Sequence, residues 1–347
     1  MKPIQTAICS FGMSGQVFHA PFLDINPGFD LSLVLERSKN LAAAQYPQIK
    51  TVRSFEEIIA DENIELVVVN TPNATHFEYT KKALKAGKNV VVEKPFVNVI
   101  EEGEELIRIA AGANKMLSVY HNRRWDSDFG FVQSVVKDRL LGDIVEAEIH
   151  FDRFKQELSP KQHKEIPGPG TGVLYDLGSH LIDQAVLLFG YPKAVFADIR
   201  IVRPVSKVDD YFELLLYYPS VRVRIKASYL VREPIPSFTL FGSKGAFHKS
   251  RADVQEADLM AGKKPSETNW GIEPASEKGL LHTELNGDIK KIHLDSPAGN
   301  YGTYYEKVYE CIRNGAQPPV DPADALNVIR IIEAAFKSNE EKRVIDL

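Results

Sequence analysis

Short apolar runs alternate with amphipathic segments up to about residue 121. The valines at 90–92 follow one another without polar alternation, which is typical of a strand buried on both faces of a parallel sheet. Strands that alternate with helices in this way predict a doubly wound parallel sheet. The apolar runs predict strands at Gln5–Ser10, Leu31–Leu35, Leu66–Asn70, Asn89–Val92 and Leu117–Tyr120.

Two of the intervening segments carry a helix-start signature. Ser54 and Glu57, and likewise Thr75 and Glu78, place a hydroxyl and a glutamate three residues apart, which is the spacing of a capping box. Gly87 is the expected left-handed residue after the last turn of the second helix. The pattern therefore predicts helices that begin at these two hydroxyl residues.

The pattern changes after about Gly142. Several later segments alternate apolar with polar residues, as in an antiparallel sheet with one covered face. Helices interrupt them at 175–189 and 323–338. We therefore expect two domains, a dinucleotide-binding domain at 1–121 and an α+β domain with an open-faced, mainly antiparallel sheet at 122–347. The predicted strands lie in "IVEAEIHFDRF", "AVFADIRIVR", "YFELLLYY", "VRVRIKASYL" and "SFTLFG".

Composition narrows the class of protein. The 347 residues, 44% hydrophobic and 26% charged, indicate a globular protein with more than one core. Two cysteines form neither a disulfide framework nor a CxxC metal motif, and a net charge of −5 without a basic stripe disfavours nucleic acid. No apolar run approaches the roughly 20 residues of a membrane span, and the N-terminal run is too short for a signal peptide. We expect a cytoplasmic protein without membrane or nucleic-acid partners.

The segment "ICSFGMSGQVF" follows the first predicted strand. Gly12 and Gly15, with Met13 and Ser14 between them, match the second half of the dinucleotide-binding GxGxxG fingerprint. One glycine admits the pyrophosphate and the other allows close helix–strand packing. Ser10 occupies the first glycine position, so a plain strand-to-helix turn is the alternative. The strand–helix alternation that follows favours dinucleotide binding.

The segment "LERSK" gives conflicting signals about the dinucleotide. Glu36 stands where an acid normally bonds the adenine ribose hydroxyls, which favours NAD. Arg37 and Ser38 suit the 2′-phosphate of NADP, which a glutamate would repel. A solvated charged turn would also explain each residue, so the sequence leaves NAD and NADP open.

Two further loops follow predicted strands at the edge where open parallel sheets bind ligands. Thr71, Asn73 and His76 in "NTPNATHF" are candidate cofactor contacts, although His76 could equally pack or cap a helix. In "EKPF", the proline forces Lys94 out of the helical region, so Lys94 is extended and can donate hydrogen bonds to a substrate oxygen. A snorkelling lysine paired with Glu93 is the structural alternative.

The segment "YDLGSHLIDQ" places Asp176, His180 and Asp183 on one helix face. A carboxylate one turn away can orient a histidine, whose ordinary pKa of about 6.5 suits proton transfer near neutrality. A surface pair or a two-residue metal site would show the same spacing. We expect no metal, because no third ligand and no HExxH motif support one.

The segment "SVYHNRRWDSDF" follows the last predicted strand of the first domain. Its polar and aromatic side chains lie at the domain junction, where pockets tend to form, and could bind substrate. The two arginines could equally hold the domains together through Asp126 and Asp128. The candidate residues are Asn122, Arg123, Arg124 and Trp125.

Together these motifs resemble the Gfo/Idh/MocA oxidoreductases, and within them the bacterial NADP-dependent scyllo-inositol dehydrogenases. The resemblance covers nearly the whole chain, through "FGMSGQVFHAPF", "EKPF", "SVYHNRRWDSDF", "YDLGSHLIDQ", "DDYF", "GNY" and "NVIRIIEAA". It implies a Rossmann domain followed by an open-faced sheet that forms homodimers or homotetramers. Ser10 and Glu36 depart from the family pattern.

The resemblance also implies roles for individual residues. His180 is the general base on a sugar or polyol hydroxyl, Lys94 steadies that oxygen beside the nicotinamide, and Asp176 helps to hold the site. Glu93 joins the cofactor-binding residues, and the Lys94–Pro95 peptide is a candidate for the cis form.

The expected function is reversible NAD(P)-dependent oxidation of a CH–OH group on a neutral cyclic polyol or sugar. One alternative is a non-catalytic, nucleotide-sensing regulator, as in the yeast galactose-pathway repressor, although retention of both Lys94 and His180 argues against it. Another is a reductase of a non-sugar substrate, of the biliverdin or dihydrodiol type. The polar junction residues favour polyols.

Overall fold

A computed structural model describes residues 2–347 of the chain, which pack into two compact units. One unit contains the chain up to Trp125 together with Val254–Trp270 and Asn300–Leu326. The other contains Asp126–Asp253, Gly271–Gly299 and Asn327–Leu347. The sequence predicts a single division at 121, whereas packing divides the chain at Trp125 and assigns two later segments to the first unit.

The first unit contains the predicted doubly wound parallel sheet, with strand order β3-β2-β1-β4-β5-β6. Its central strands are buried on both faces, and Val67–Val69 and Val90–Val92 are fully inaccessible to solvent. The sequence missed β3, because a three-residue strand with one buried side chain leaves no apolar run. The strands are β1 Ile4–Ile8, β2 Phe29–Leu35, β3 Lys50–Val52, β4 Leu66–Val69, β5 Asn89–Val92 and β6 Leu117–Val119.

The helices follow the chain through both units. Two five-residue π-helical turns, Gly15–His19 and Leu174–Gly178, run directly into α-helices. Short 3₁₀ turns lie at Asn73–Thr75, Asn122–Trp125 and Gln162–Glu165. The α-helices are α1 Ala20–Ile25, α2 Leu41–Gln45, α3 Phe55–Ala60, α4 His76–Lys85, α5 Ile100–Ala113, α6 Ser127–Lys137, α7 Ser179–Phe189, α8 Gln255–Met260, α9 Gly302–Asn314 and α10 Pro322–Glu341.

One of the two predicted capping boxes is present. Ser54 Oγ accepts the Glu57 N–H at 3.3 Å, and the Glu57 carboxylate accepts the Ser54 N–H at 2.8 Å, so α3 begins as expected. Helix α4 also begins where predicted, with Thr75 as its N-cap residue, but the predicted capping box is absent there. The Thr75 side chain makes no cap, because the hydroxyl lies 2.7 Å from both the Pro72 carbonyl oxygen and Thr71 Oγ1. The left-handed Gly87 after α4 is confirmed, at φ +75°.

Polar contacts hold the late segment 300–326 within the first unit. The Arg313 guanidinium donates to both carboxylate oxygens of Glu65, at 2.7 and 2.8 Å. The Ser118 hydroxyl donates to the Val320 carbonyl oxygen at 2.9 Å and accepts from the Tyr304 hydroxyl at 3.0 Å. No local sequence pattern predicts such contacts, so the expectation from the sequence is that this segment belongs to the second domain.

The second unit contains a nine-stranded sheet with order β14-β13-β12-β11-β7-β10-β9-β8-β15. Only β7 and β10 pair in parallel, so the predicted mainly antiparallel sheet is confirmed. All five predicted strands are present, whereas the sequence missed β12–β15. The strands are β7 Ile144–His150, β8 Ala194–Arg200, β9 Tyr211–Tyr217, β10 Arg222–Ser228, β11 Phe238–Gly242, β12 Gly245–Lys249, β13 Gly279–Leu285, β14 Asp288–Leu294 and β15 Ile345–Asp346.

One face of this sheet is covered and the other is open. Along β9, Phe212, Leu214 and Leu216 are fully buried while the residues between them are partly exposed. Phe196 and Phe241 lie on the open face, with 37% and 38% of their surfaces exposed. Among residues 2–347, no helix has the length and apolarity required to span a membrane.

Candidate active site

The glycine turn after β1 is built around the Ser10 backbone. A Cβ atom at Gly15 would lie 2.2 Å from the Ser10 carbonyl oxygen, so only glycine fits. The Asn70 amide, at the end of β4, donates to the same oxygen at 2.8 Å. Ser10 is accommodated at the first glycine position because its hydroxyl accepts the Gly12 N–H at 3.3 Å. Sequence reasoning missed Asn70, which ties the turn to the neighbouring strand.

The outer side of the turn is accessible to a ligand. Gly12 and Met13 are exposed, Ser14 is partly exposed, and a Cβ atom at Gly12 would meet only Ser10 Oγ, at 3.6 Å. An exposed glycine turn between a parallel strand and a helix fits the pyrophosphate of a dinucleotide.

The Glu36 carboxylate is directed into the protein. It is 7% exposed and accepts the N–H groups of Leu41 and Ala42, at 3.1 and 3.0 Å. These are the first residues of α2, where main-chain N–H groups lack helical partners. The carboxylate therefore stabilises the start of α2, whereas the adjacent Arg37 and Ser38 are exposed.

Arg53 fixes the same loop from the side. Its guanidinium donates to the carbonyl oxygens of Glu36 and Lys39 and to the Asn40 side-chain oxygen. Three acceptors on one rigid guanidinium hold the loop in a single conformation. The exposed side chains at 37 and 38 are thus presented from a fixed backbone.

The loop after β4 is tied to the loop after β5 by His76. This histidine is 1% exposed, with Nδ1 2.8 Å from the Pro95 carbonyl oxygen and Nε2 2.9 Å from that of Thr71. Burial lowers the pKa of His76, so the ring is neutral and donates to one of the two carbonyls. Thr71 and Asn73 remain partly exposed at the ligand edge of the sheet.

Glu93 connects the "EKPF" segment to the glycine turn. Its Oε1 atom accepts hydrogen bonds from the Ser14 hydroxyl and from His19 Nε2, the latter at 3.1 Å. Its Oε2 atom accepts the main-chain N–H of Lys94 at 3.2 Å. Lys94 is partly exposed, and the Lys94–Pro95 peptide is cis, as the family resemblance implies.

The charge on Glu93 is maintained against burial. Burial raises the pKa of this carboxyl, but the hydrogen bonds from His19 and Ser14, together with the charge of Lys94, lower it to about 2. Glu93 is therefore ionised at every pH at which the protein would be assayed.

The second unit carries the "YDLGSH" residues. The predicted helix at 175–189 is present, but its first turn is π-helical, a feature frequent at functional sites. His180 and Asp183 are buried, at 5% and 2% exposure. Asp176 is partly exposed and accepts a hydrogen bond from Lys164 Nζ at 3.1 Å. Sequence reasoning missed Lys164, which stands in a polar segment without periodicity.

Asp209 holds the start of this π-helical turn. Its carboxylate accepts the Leu174 N–H and its carbonyl oxygen accepts the Val173 N–H, both at 2.8 Å. A Cβ atom at Gly172, which has φ +90°, would lie 1.8 Å from the Asp209 carboxylate, so glycine is required there. Burial raises the pKa of Asp209 to about 6, because the hydrogen bond from Leu174 offsets only part of the desolvation.

The segment 122–125 lies in the first unit. Asn122 is buried and Arg124 is partly exposed. Arg123 forms an ion pair with Glu256, and the Trp125 ring packs edge-on against Tyr304 with centroids 5.6 Å apart.

The two aspartates that follow have partners in the second unit. Asp128 accepts the N–H groups of Ala252 and Asp253 at 2.7 and 3.0 Å, and Asp126 lies 3.6 Å from Arg251. Among the side chains that the structure describes, which leave out those of residues 162 and 163, no group of three or more His, Cys, Asp or Glu is arranged to hold a metal ion.

Family models match both parts of the chain. Residues 4–121 match the oxidoreductase family's NAD-binding Rossmann fold, and residues 133–347 match its C-terminal alpha/beta domain.

Individual relatives match over nearly the full length. The chain is 40% identical to the scyllo-inositol 2-dehydrogenase (NADP(+)) of Bacillus subtilis, over 99% of this chain and 96% of that protein. The solved structure of a candidate oxidoreductase from Bacteroides fragilis is 49% identical with a TM-score of 0.93, and covers 100% of both chains. A second, from Bacillus subtilis, is 40% identical with a TM-score of 0.96, over 100% of this chain and 99% of that one.

Asp209 generates a prediction about stability and pH. Its folded-state pKa of about 6 exceeds its ordinary value, so the folded protein binds this proton more tightly than the unfolded chain. The resulting stabilisation is present below about pH 4 and is lost as the pH rises to about 6. Asp209→Asn keeps an acceptor for Leu174 but does not titrate. As the pH rises through this range, the unfolding free energy of Asp209→Asn should therefore increase relative to that of wild type by up to about 3 kcal/mol.

The measurement is urea unfolding of both proteins at a series of pH values from about 4 to 6.5. Asp288→Asn, at an exposed position on β14, is the control and should show no such trend. A difference between Asp209→Asn and wild type that is independent of pH would contradict the prediction.

Proposed function

Because the chain belongs to the Gfo/Idh/MocA family of oxidoreductases, we propose that it oxidises a secondary alcohol of a cyclic polyol or sugar, and reduces the ketone. It is an oxidoreductase with an NAD(P)-binding Rossmann domain, and the substrate class is the proposal. An inositol-like substrate is supported by the scyllo-inositol 2-dehydrogenase to which the chain is similar.

The observation that carries the proposal is the position of Glu93 between the glycine turn and Lys94. Ser14 belongs to the proposed pyrophosphate turn, and its hydroxyl bonds the carboxylate that also holds the Lys94 N–H. A lysine fixed in this way to a cofactor turn suits a hydrogen bond to the oxygen that changes oxidation state.

Residues of the first unit would hold the cofactor, which when bound supplies the acceptor or donor of the hydride. The glycine turn takes the pyrophosphate, and Thr71 and Asn73 contribute polar groups from the loop after β4. His76 acts through its two carbonyl contacts, which fix that loop relative to Pro95.

The roles proposed for the substrate-binding and catalytic residues are those that the family resemblance implies. Lys94 donates a hydrogen bond to the reacting oxygen and stabilises the negative charge that develops there. His180 takes the hydroxyl proton during oxidation and returns it during reduction. Asp176 supports the site as a carboxylate whose charge is balanced by Lys164. Asn122, Arg124 and Trp125 bind the remaining hydroxyl groups and the ring face.

The proposal extends to a preference for NADP over NAD. The Glu36 carboxylate is occupied by two N–H groups of α2, so it is directed away from the loop surface on which Arg37 and Ser38 are exposed. An exposed arginine beside a serine suits a 2′-phosphate, since guanidinium–phosphate hydrogen bonds are charge-assisted. The similar Bacillus subtilis enzyme carries NADP(+) in its name.

The proposal also includes a homodimer or homotetramer formed through the open sheet face. Phe196 and Phe241 are exposed apolar side chains on this face, and Arg224 bridges Glu148 and Glu213 across neighbouring strands. Apolar side chains among ordered ion pairs are typical of a surface that another chain covers.

A substrate screen tests the function directly. Purified protein is mixed with NAD(H) or NADP(H) and with inositols, aldoses, keto-sugars, bilins or aromatic dihydrodiols, and NAD(P)H absorbance is followed. We expect turnover with a cyclic polyol or sugar. Cofactor binding without turnover across the whole panel would favour a nucleotide-sensing regulator instead. Turnover confined to bilins or aromatic dihydrodiols would favour a non-sugar reductase.

Variants at the two proposed catalytic side chains test the mechanism. His180→Ala removes the proton acceptor and should lower kcat about 10²- to 10⁴-fold while the cofactor dissociation constant stays nearly unchanged. Lys94→Met removes the donor to the reacting oxygen and should also lower kcat. His282→Ala and Lys85→Met, at exposed positions, are the matched controls. Normal turnover in either test variant would remove that residue from the mechanism.

Cofactor preference gives a separate prediction. Arg37→Ala should raise KM for NADP(H) about ten- to hundredfold, since a hydrogen bond to a charged group contributes roughly 1.5–3 kcal/mol, and should leave KM for NAD(H) almost unchanged. Glu36→Ala should destabilise the fold without improving the use of NADP(H). Arg108→Ala, on the exposed side of α5, is the control. An NADP-to-NAD ratio that Arg37→Ala leaves unchanged would contradict the proposed preference.

A further inference from the structure

A buried histidine in the first unit has no part in the chemistry proposed above. His19 is the last residue of the π-helical turn Gly15–His19 and is fully buried. Its Nδ1 atom lies 2.6 Å from the Tyr305 hydroxyl oxygen, and its Nε2 atom lies 3.1 Å from Glu93 Oε1. The Tyr120 ring covers it, with centroids 4.5 Å apart.

The hydrogen bond between His19 and Glu93 has a fixed direction. Glu93 is ionised and only accepts, so His19 Nε2 carries a hydrogen and donates it. Burial raises the pKa of Tyr305 well above its ordinary value, so its hydroxyl keeps its proton. The other ring nitrogen, Nδ1, shares a hydrogen bond with that hydroxyl.

We propose that His19 is a positioning residue, which acts through Glu93 to hold the cofactor turn and Lys94 in one fixed arrangement. This inference rests on the proposed role of Lys94. Two donors, Ser14 and His19, converge on Oε1 of the carboxylate, and the Lys94 N–H occupies Oε2. Loss of the imidazole donor leaves Oε1 dependent on Ser14 alone, so the carboxylate is free to rotate away from the Lys94 N–H.

The surroundings of Glu93 explain why this donor matters. The ionisable groups that face it are the imidazoles of His19 and His76, the Lys94 ammonium, and the phenols of Tyr120, Tyr304 and Tyr305. The phenols stay neutral, because burial raises the pKa of each. Removing the His19 donor therefore raises the pKa of Glu93 from about 2.

Two polar substitutions of similar size test the hydrogen bonds of the two ring nitrogens one at a time. In His19→Gln the amide nitrogen reaches the Nε2 position and can still donate to Glu93. In His19→Asn the amide reaches only the Nδ1 position, so it keeps a contact with Tyr305 and loses the donor to Glu93. Tyr305→Phe retains the ring and removes only the hydroxyl beside Nδ1.

The readouts are kcat, the cofactor dissociation constant and the thermal midpoint. We expect His19→Asn to lower kcat about tenfold or more, as loss of one hydrogen bond to a charged group implies. It should also weaken cofactor binding, because Ser14 shares the same oxygen. His19→Gln and Tyr305→Phe should retain most of kcat.

Equal losses of kcat in His19→Gln and His19→Asn would overturn the inference and indicate a purely structural histidine. Lys94→Met separates this outcome from failure of the proposed function. An inactive Lys94→Met beside an unaffected His19→Asn refutes only the positioning role. A fully active Lys94→Met refutes the role of the lysine itself, whatever the His19 variants show.

Discussion

The site in the first unit depends on keeping one buried carboxylate ionised. Glu93 would favour its neutral form if burial acted alone, and a neutral carboxyl would accept weaker hydrogen bonds. Hydrogen bonds from His19 and Ser14, together with the charge of Lys94, reverse that preference. A buried charge that loses a partner carries an uncompensated desolvation cost. The glycine turn and the lysine are therefore held together by the penalty for separating them.

In the second unit a carboxylate also fixes a turn, but its pKa is shifted in the opposite direction. Asp209 fixes the π-helical turn that contains Asp176 and precedes His180; its carboxylate accepts the Leu174 N–H, and the charge of Asp210 lies nearby. Burial consequently raises the pKa of Asp209 to about 6. A neighbouring charge of opposite sign distinguishes the two carboxylates: Lys94 lowers the pKa of Glu93, whereas Asp210 raises that of Asp209.

Local sequence signals predicted most of the architecture, but they did not predict which groups some polar side chains contact. Ser54 caps α3 as its spacing to Glu57 predicts. Thr75 has the same spacing to Glu78 but follows a 3₁₀ turn, whose Pro72 carbonyl oxygen lies within reach of its hydroxyl. Glu36 fits the ribose-binding position by sequence, yet its carboxylate stabilises α2. Both side chains contact main-chain groups, whose positions a residue pattern does not encode.

The sequence by itself determined the two sheets, the glycine turn, and the placement of Lys94 at the end of a buried strand before a proline. These features depend on residues that are neighbours in the chain, through periodicity and turn geometry. The tertiary structure alone decided which groups hold those residues. Ser14 and Glu93 are 79 residues apart, and His19 and Tyr305 are 286 apart. Hydrogen bonds over such separations follow from how strands and helices pack, so only the folded chain reveals them.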